Sequence, residues 1–348
     1  MNIIHIADVH LGAEPDIGFE WSKERKTDVQ AAFQKIIIRC RDEKTDLLII
    51  AGDLFHRPPL YRDLKEVDYL FKSIPDTTVV LMAGNHDYLK KDGYFETYPW
   101  SENVVGLWEQ TCQRVEIPTL DLAVYGCSYH EREICESLYD EVRPEGNCRY
   151  HILVAHGGDA KHSPIDKRKL LSAGFTYVAL GHIHKPEILA ENQMAYAGAL
   201  EPIDCNDMGD HGYMHVRCHG DMVRAEFVPM AVSQYKVMEV EVNEESTQYA
   251  LEEIVHDRIL KEGAKNIYHL HLQGTRDRGM EFNLLRLMKI GRVVKVRDMT
   301  HPYYDLDELA QTYDGSLIGE YINRLKGLEG VEKKALFYGL EALLETKR

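Results

Sequence analysis

Five short polar stretches of the sequence carry the side chains that could do chemistry. They contain Asp8 with His10, Asp53, Asn85 with His86 and Asp87, His156, and His182 with His184. These side chains offer carboxylate, amide and imidazole donors, which suit borderline to hard divalent ions such as manganese, iron or zinc. None of the five stretches contains a cysteine, which disfavours a structural zinc site. The residue types therefore predict a site for divalent metal ions.

The number of donors predicts two ions rather than one. An open catalytic site for a single ion uses about three protein ligands. The seven donors of ligand type are Asp8, His10, Asp53, Asn85, His156, His182 and His184. Two ions about 3.5–4 Å apart would use them all if they shared one carboxylate, for which Asp53 is the natural choice. Such a pair activates a bridging water and stabilises the oxygens of a phosphoryl displacement, so we predict phosphoester hydrolysis.

His86 is the predicted acid of this reaction. It stands between Asn85, which is of ligand type, and Asp87. A neighbouring carboxylate can orient an imidazole and raise its pKa, so Asp87 is expected to orient His86. His86 would then act as a general acid or stabilise charge on the leaving oxygen. Gly84, which precedes the three residues, is expected to let the backbone turn sharply into the site.

Each polar stretch directly follows an apolar run that is typical of a buried strand. The five runs cover residues 3–6, 47–50, 79–82, 152–155 and 177–180. Because such sheets place ligands at the carboxyl ends of their strands, we expect the polar side chains to meet in one crevice. Asp8 and His10 are expected on one face of the chain, since they are two residues apart. Helical periodicity in 29–40 and 67–74 completes the pattern of an α/β layered fold.

The rest of the chain shows no further catalytic pattern. After His86 we expect an irregular stretch until a short strand at 122–125. A hairpin at 213–218 and 222–227 closes the first region, and a domain boundary is expected near 229–234. Beyond it we predict strands at 237–242, 267–272 and 293–296, helices at 251–259 and 284–288, and two amphipathic helices at 317–325 and 331–344.

The composition is that of a globular protein, with 44% hydrophobic and 28% charged residues over 348 positions. The 57 acidic and 41 basic residues give a formal net charge of −16. This balance excludes a nucleic-acid binder that relies on bulk electrostatics, so any such contact would be local, metal-assisted or helped by a partner. The seven cysteines include no CxxC pair, which argues against a disulfide framework and a zinc ribbon.

The order DxH, GD, GNHD, H and GHxH resembles that of the calcineurin-like metallophosphoesterases, over residues 1 to about 230. The resemblance implies an α/β four-layer sandwich of two mixed sheets flanked by helices, with a small α/β cap domain and C-terminal helices. It implies one metal ion held by Asp8, His10, Asp53 and His184, and another held by Asp53, Asn85, His156 and His182. It also implies that His86 is the catalytic histidine.

Within that superfamily, residues 52–59 (GDLFHRPP) resemble the SbcD-type DNA repair nucleases and their archaeal and eukaryotic counterparts. Residues 177–186 and 196–202 resemble the same family, especially its shorter YhaO-like branch. His56 matches the extra histidine after the bridging aspartate, so it joins His86 and Asp87 as a predicted catalytic residue. The resemblance implies two divalent ions, manganese first, with iron, zinc or magnesium as alternatives.

The resemblance also implies domains and partners. Residues 1–232 would form the metallophosphoesterase domain, 233–303 a cap that helps to hold DNA, and 304–348 a helical segment that docks on the coiled coil of an SbcC-like ATPase. A homodimer is a further expectation. Because the first residues enter a predicted strand directly, without the basic start and apolar run of a signal peptide, we expect a cytoplasmic protein without a membrane contact.

Two other functions remain open. The generic core of five motifs and the acidic balance suit a phosphomonoesterase or a cyclic-nucleotide phosphodiesterase. A scaffold subunit that binds the ATPase through residues 315–348 is the third hypothesis. Surface solvation explains the basic residues near the motifs as well as phosphate contact does. These residues are Arg57, Lys161, Lys167, Arg168, Lys169 and Lys185.

Overall fold

The structure is a computed structural model and describes residues 1–345. The chain divides into two compact units, the first comprising Met1–Tyr235 and the second beginning at Lys236. The finer division into residues 1–232, 233–303 and 304–348 stays a prediction. Residues 346–348 of the predicted docking segment lie outside the described residues.

The first unit contains twelve strands and three helices among its described elements. In chain order they are β1 (Asn2–Ile6), α1 (Ser22–Asp42), β2 (Leu47–Ala51), α2 (Tyr61–Lys72), β3 (Thr78–Met82), β4 (Val104–Gly106), β5 (Gln113–Ile117), β6 (Leu122–Gly126), β7 (Tyr150–His156), α3 (Lys167–Ser172), β8 (Tyr177–Gly181), β9 (Glu187–Ala190), β10 (Met194–Tyr196), β11 (Gly212–His219) and β12 (Met222–Pro229). A short 3-10 helix, Pro118–Leu120, joins β5 to β6.

Two six-stranded mixed sheets form the centre of this unit, in the orders β12-β11-β1-β2-β3-β4 and β5-β6-β7-β8-β10-β9. In the first sheet β1, β2 and β3 run parallel, with Leu48 paired to Ile4 on one side and to Val79 on the other. In the second sheet β7 and β8 run parallel, with His156 opposite Gly181. The parallel pairing brings the carboxyl ends of neighbouring strands to the same edge of each sheet.

The side chains of these strands alternate between layers. Ile4 belongs to the buried cluster that includes Phe33 of α1, whereas its neighbour Ile3 belongs to the cluster that includes Ile152 of β7. The first cluster lies between helices and sheet, and the second lies between the two sheets. Leu170 of α3 belongs to a further cluster with outward-facing residues of the second sheet. The predicted fold class, a sandwich of two mixed sheets flanked by helices, is confirmed.

The helices of the first unit cover their sheet through a single apolar stripe. In α1 this stripe includes Val29, Phe33, Ile36 and Cys40, which are all buried. Each fully buried side chain of this size contributes roughly 1.5–3 kcal/mol. All five residues of β2 are buried as well, so the strand that precedes Asp53 is tightly packed on both faces.

Four short strands of the first unit were not expected from the sequence: β4, β5, β9 and β10. The prediction of an irregular stretch after His86 is therefore wrong at Val104–Gly106 and Gln113–Ile117. β4, β5 and β9 lie at the outer ends of the two sheets. These three strands are only partly buried. They therefore lack the long apolar runs from which the central strands were predicted.

The second unit is built on a smaller sheet. Its elements are β13 (Tyr235–Val242, which begins at the last residue of the first unit), α4 (Gln248–Glu262), β14 (Ile267–Arg276), α5 (Leu284–Leu287), β15 (Val293–Asp298), β16 (His301–Pro302), α6 (Leu306–Thr312), α7 (Leu317–Leu325) and α8 (Val331–Glu345). The strand order is β13-β14-β15, with β16 also paired to β14. α6 was not expected. Over residues 1–345, no helix combines the length and the apolar character that crossing a membrane requires.

Candidate active site

The predicted donors converge in the first unit. They lie at the edge where the carboxyl ends of the parallel strands of both sheets meet. Asp8 and Asp53 follow β1 and β2, and Asn85 follows β3. His156 ends β7, and His182 follows β8. Contacts across the two sheets join them, since the backbone N–H of His182 donates to the Asp8 carboxylate at 2.9 Å.

The chain reaches the site through left-handed backbone rather than extended backbone. The φ angles of Asp8, His10 and Asp53 are 51°, 52° and 52°. Asp8 and His10 do face one site, with ligand atoms within 4.8 Å of each other, but the alternation of an extended strand is not what places them there. Non-glycine residues in this region cost on the order of 1–3 kcal/mol each. Backbone hydrogen bonds hold the turn, from Asp8 N–H to the Gly52 carbonyl at 3.2 Å and from His10 N–H to the Asp53 carbonyl at 3.0 Å.

The first donor group consists of Asp8, His10, Asp53 and His184. His10 Nε2 lies 3.2 Å from His184 Nε2 and 3.8 Å from Asp53 Oδ2. Asp8, His10 and His184 each offer a ligand atom within 4.8 Å of the others. Burial lowers the pKa of His10 well below its usual value, so its imidazole is neutral and keeps a lone pair for a ligand.

The second donor group consists of Asp53, Asn85, His156 and His182. Asn85 Oδ1 lies 2.9 Å from His156 Nε2 and 3.1 Å from His182 Nδ1. Asp53 Oδ2 lies 3.5 Å from His156 Nε2. The same oxygen of Asp53 therefore faces both groups, as a bridging ligand would.

The protonation of His156 shows why this pocket suits a cation. Its Nδ1 donates to the Ala51 carbonyl at 2.9 Å, so Nε2 faces the oxygens of Asn85 and Asp53. Burial opposes a charge on His156, but the Asp53 carboxylate outweighs burial and raises the pKa of His156 to about 9. A proton on Nε2 thus fills the place between acceptor atoms that a metal ion would take, and metal binding would release it. The oxygen and nitrogen donors fit divalent ions.

Asp87 does not orient His86, so this prediction is wrong. The two carboxylate oxygens of Asp87 accept hydrogen bonds from Phe55 N–H at 3.1 Å and Gly84 N–H at 2.7 Å. Asp87 therefore ties the turn after β2 to the turn after β3. Burial raises its pKa to about 7.

His86 is held instead by the Asp53 carboxylate and the backbone carbonyl of His56. Its N–H donates to Asp53 Oδ1 at 2.8 Å, and its Nδ1 lies 3.2 Å from the His56 carbonyl oxygen. The exposed imidazole of His56 lies beside the rings of His10 and His86. Its Nδ1 is 3.4 Å from His10 Nδ1, and its ring centroid is 5.2 Å from that of His86. The structure thus brings His10, His56 and His86 together at the open side of the first donor group.

Gly84 is required for space rather than for a left-handed backbone. Its φ lies outside the left-handed region, so the turn that follows β3 does not depend on the conformational freedom of glycine at this position. A Cβ built at Gly84 would lie 2.3 Å from Asp53 Oδ1 and 2.7 Å from the Asp53 nitrogen. The residue is small because Asp53 passes directly against its backbone.

Two carboxylates near the site were missed. Asp159 Oδ2 lies 2.8 Å from His182 Nε2, and Asp207 Oδ2 lies 3.1 Å from His184 Nδ1. Asp159 stands three residues after His156, and this spacing could have drawn attention to it. Asp207 lies in a loop shortly after residues 196–202, but nothing in its sequence surroundings marks it as a partner of His184.

Comparison with known proteins places the site in a family. The family described as calcineurin-like phosphoesterase matches residues 1–186, which contain all seven donors. The uncharacterized metallophosphoesterase YhaO of Bacillus subtilis is 28% identical over 300 residues, covering 79% of this chain and 72% of YhaO. The DNA double-strand break repair protein Mre11 of Aeropyrum pernix is 27% identical over 283 residues, covering 71% of this chain and 65% of that protein.

A second archaeal relative extends this likeness. Mre11 of Methanocaldococcus jannaschii is 27% identical over 224 residues, covering 61% of this chain and 59% of that protein. The chain therefore spans less than two thirds of these two Mre11 proteins. Calcineurin-like phosphoesterases use a dinuclear centre of divalent metal, for which this site has the donors. Since the family match covers more than half of its length, the chain belongs to the calcineurin-like phosphoesterases and is a metal-dependent phosphoesterase.

Proposed function

We propose that this phosphoesterase is a manganese-dependent DNA nuclease of the SbcD type that acts in DNA repair. The observation that carries the proposal is the position of Asp53, whose Oδ2 lies 3.8 Å from His10 Nε2 and 3.5 Å from His156 Nε2. A carboxylate shared between two donor groups fits two ions about 3.5–4 Å apart, an arrangement suited to in-line displacement at phosphorus.

Each donor group would hold one ion, with Asp53 common to both. The first ion would take Asp8, His10, Asp53 and His184, and the second would take Asp53, Asn85, His156 and His182. When bound, two divalent ions supply a hydroxide near neutral pH and positive charge at the phosphoryl oxygens. We propose manganese because oxygen and imidazole donors suit it, and iron, zinc and magnesium are the alternatives.

His86 would donate a proton to the leaving oxygen or stabilise its charge. Its Nδ1 donates to the His56 carbonyl, which fixes the ring and leaves Nε2 for a substrate oxygen. The N–H of His86 donates to Asp53, so the ring keeps a fixed place relative to the proposed bridge. His56, exposed beside His86, offers a further imidazole to a substrate phosphate.

The choice of DNA as substrate rests on the relatives. Two of them are named as DNA double-strand break repair proteins, and residues 52–59 resemble the same branch. The net charge of −16 argues against DNA and favours a small phosphoester as the substrate. The substrate is therefore the property to test first.

A nuclease assay with a matched histidine control provides this test. Full-length protein with Mn²⁺ is incubated with single-stranded and double-stranded DNA, alone and with an ATPase partner. We expect cleavage by the wild type and by His256→Ala, whose side chain is exposed on α4. We expect loss of about 10²–10⁴-fold in rate for His86→Ala, the usual contribution of a general acid.

Three outcomes would count against the proposal. An absence of cleavage under all conditions would refute the nuclease. Rapid turnover of a small phosphomonoester or cyclic nucleotide with DNA left intact would favour the alternative enzyme. Full biological activity of His86→Ala would favour a scaffold subunit.

We further propose an SbcC-like coiled-coil ATPase as the partner of residues 304–348, and a homodimer as the assembly. Leu317, Val331 and Tyr338 of the C-terminal helices expose 73%, 78% and 74% of their surface, which supports a docking role. An adjacent gene for a long coiled-coil ATPase would strengthen this assignment. The DNA-holding role of residues 233–303 and the cytoplasmic location stay predictions.

A further inference from the structure

One ring nitrogen of His182 faces the second donor group, and the other faces a carboxylate outside it. His182 Nδ1 lies 3.1 Å from Asn85 Oδ1, whereas His182 Nε2 lies 2.8 Å from Asp159 Oδ2. A carboxylate accepts hydrogen bonds, so Asp159 favours the tautomer that carries its proton on Nε2. Nδ1 then has a lone pair that faces another acceptor, Asn85 Oδ1, and a cation between the two atoms would satisfy both.

We propose that Asp159 is a positioning residue for the second metal ion, acting through the tautomer and orientation of His182. The inference rests on the dinuclear centre of the proposed function. Outer carboxylates of this kind fix a ligand imidazole and increase its basicity, and their loss weakens metal binding about 10–100-fold. Asp159 itself would not touch the ion.

The loop that carries Asp159 is built to hold the carboxylate in place. Gly157 and Gly158, with φ angles of 142° and 131°, turn the chain away from the end of β7. Asp159 Oδ1 then accepts hydrogen bonds from the backbone N–H groups of Lys161 at 2.8 Å and His162 at 3.0 Å. With Oδ1 committed to the backbone, Oδ2 is the oxygen directed at His182.

The imidazole of His162 completes this arrangement. Its Nδ1 lies 2.9 Å from Asp159 Oδ2, and its ring centroid lies 4.5 Å from that of His182. The His162 ring also lies 3.0 Å from Asp159 Oδ1, so it contacts both oxygens of the carboxylate. Two imidazoles and two backbone N–H groups therefore limit the rotation of the Asp159 carboxylate.

Asp207 offers a matched comparison because it contacts His184 in a different way. Asp207 Oδ2 accepts from the backbone N–H groups of Ile203 and Asp204, both at 3.0 Å, and also lies 3.1 Å from His184 Nδ1. An asparagine at 207 can therefore keep its oxygen at this shared position. An asparagine at 159 that keeps its oxygen on the backbone side must point its amino group at His182 Nε2.

The two Asp→Asn variants should consequently differ. In Asp159→Asn the amide donates to Nε2, which moves the proton of His182 to Nδ1 and removes the lone pair that would bind metal. Mn²⁺ alone, titrated into metal-free full-length protein by calorimetry, should show two ions in the wild type. In Asp159→Asn the Kd of one ion should rise about 10–100-fold. Asp207→Asn should change either Kd less.

Double variants identify which ion is lost. Asp159→Asn added to Asn85→Ala should weaken binding little further, because both changes affect the second ion. Asp159→Asn added to His10→Gln should remove both ions. Wild-type affinity for both ions in Asp159→Asn, or full additivity with Asn85→Ala, would overturn the inference.

Nitrogen-15 NMR of histidine in the metal-free protein separates this inference from the proposed function. The proton of His182 should lie on Nε2 in the wild type and on Nδ1 in Asp159→Asn. An unchanged tautomer overturns the role of Asp159, whatever the metal content. Failure of the wild type to bind two Mn²⁺ ions would instead refute the dinuclear centre, and the NMR result would still decide the tautomer.

Discussion

At the scale of single residues, Asp53 links every part of the candidate site. One of its oxygens faces His10 and His156, and the other accepts the N–H of His86. His156 holds the pKa of the Asp53 carboxyl below its ordinary value despite burial, so Asp53 is ionised. It would therefore serve both as a metal bridge and as an anchor for the predicted acid.

Asp53→Asn should accordingly weaken both metal ions together. The amide keeps an oxygen but loses the negative charge that both groups share. We expect losses larger than the roughly 10–100-fold typical of an outer partner, measured as bound manganese after equilibrium dialysis. Asp166→Asn, which changes a carboxylate at the start of α3, is the control. Two tightly held ions in Asp53→Asn would contradict the bridging role.

Residue types and spacing were sufficient to select seven side chains that the structure brings together, because each lies at or shortly after the end of a strand of recognisable pattern. Their role as metal ligands stays a prediction. Residue types and spacing were insufficient for Asp159 and Asp207, whose contacts depend on how loops fold back onto the site. Asp87 shows the opposite failure. Its position beside His86 in the sequence suggested a contact, but its carboxylate is used by the backbone N–H groups of two turns.

At the scale of elements, the turns after β1 and β2 matter more than the strands. The central strands were predicted nearly to the residue, since uniform burial gives them uninterrupted apolar runs. Their turns use left-handed backbone at three aspartate and histidine positions, which no apolar pattern reveals. The site is therefore placed by strands that the sequence predicts and is shaped by turns that it does not.

Gly84→Ala tests how closely the turns after β2 and β3 pack. The added Cβ would meet both the side chain and the backbone nitrogen of Asp53, so the turns must move apart. We expect a loss of about 1–3 kcal/mol in the free energy of unfolding, typical of overpacking. Denaturant unfolding measures it, with Gly279→Ala as the control, since only the Asp277 side chain lies near that Cβ. Equal stability of both variants would contradict the close packing.

At the scale of the first unit, a buried titratable histidine and a tyrosine lie in contact between the two sheets. His5 on β1 lies with Nδ1 3.1 Å from the hydroxyl of Tyr177 on β8. Burial lowers the pKa of His5 from 6.5 to about 3. The folded protein therefore keeps His5 neutral at pH values where the unfolded chain would bind a proton.

Stability should consequently fall as the pH drops from about 6.5 towards 3, because the unfolded chain binds more protons over this range. At pH 5 the buried neutral His5 lowers the free energy of unfolding by about 2 kcal/mol, from 1.36 kcal/mol for each pH unit below 6.5. His5→Phe should lose that much less stability than the wild type between pH 7 and pH 5. Denaturant unfolding of the metal-free proteins at both pH values measures the difference. An equal loss in both would contradict a buried neutral His5.

The division of the donors between two sheets has a consequence for folding. Asp8, His10, Asp53 and Asn85 come from the first sheet, whereas His156, His182 and His184 come from the second. Neither sheet alone offers a complete set for either ion. Ions that require both sheets would bind the native state far better than the unfolded chain, and would stabilise it by RT ln(1 + [M]/Kd). Manganese would then slow the separation of the two sheets, and the unfolding rate would depend on its concentration.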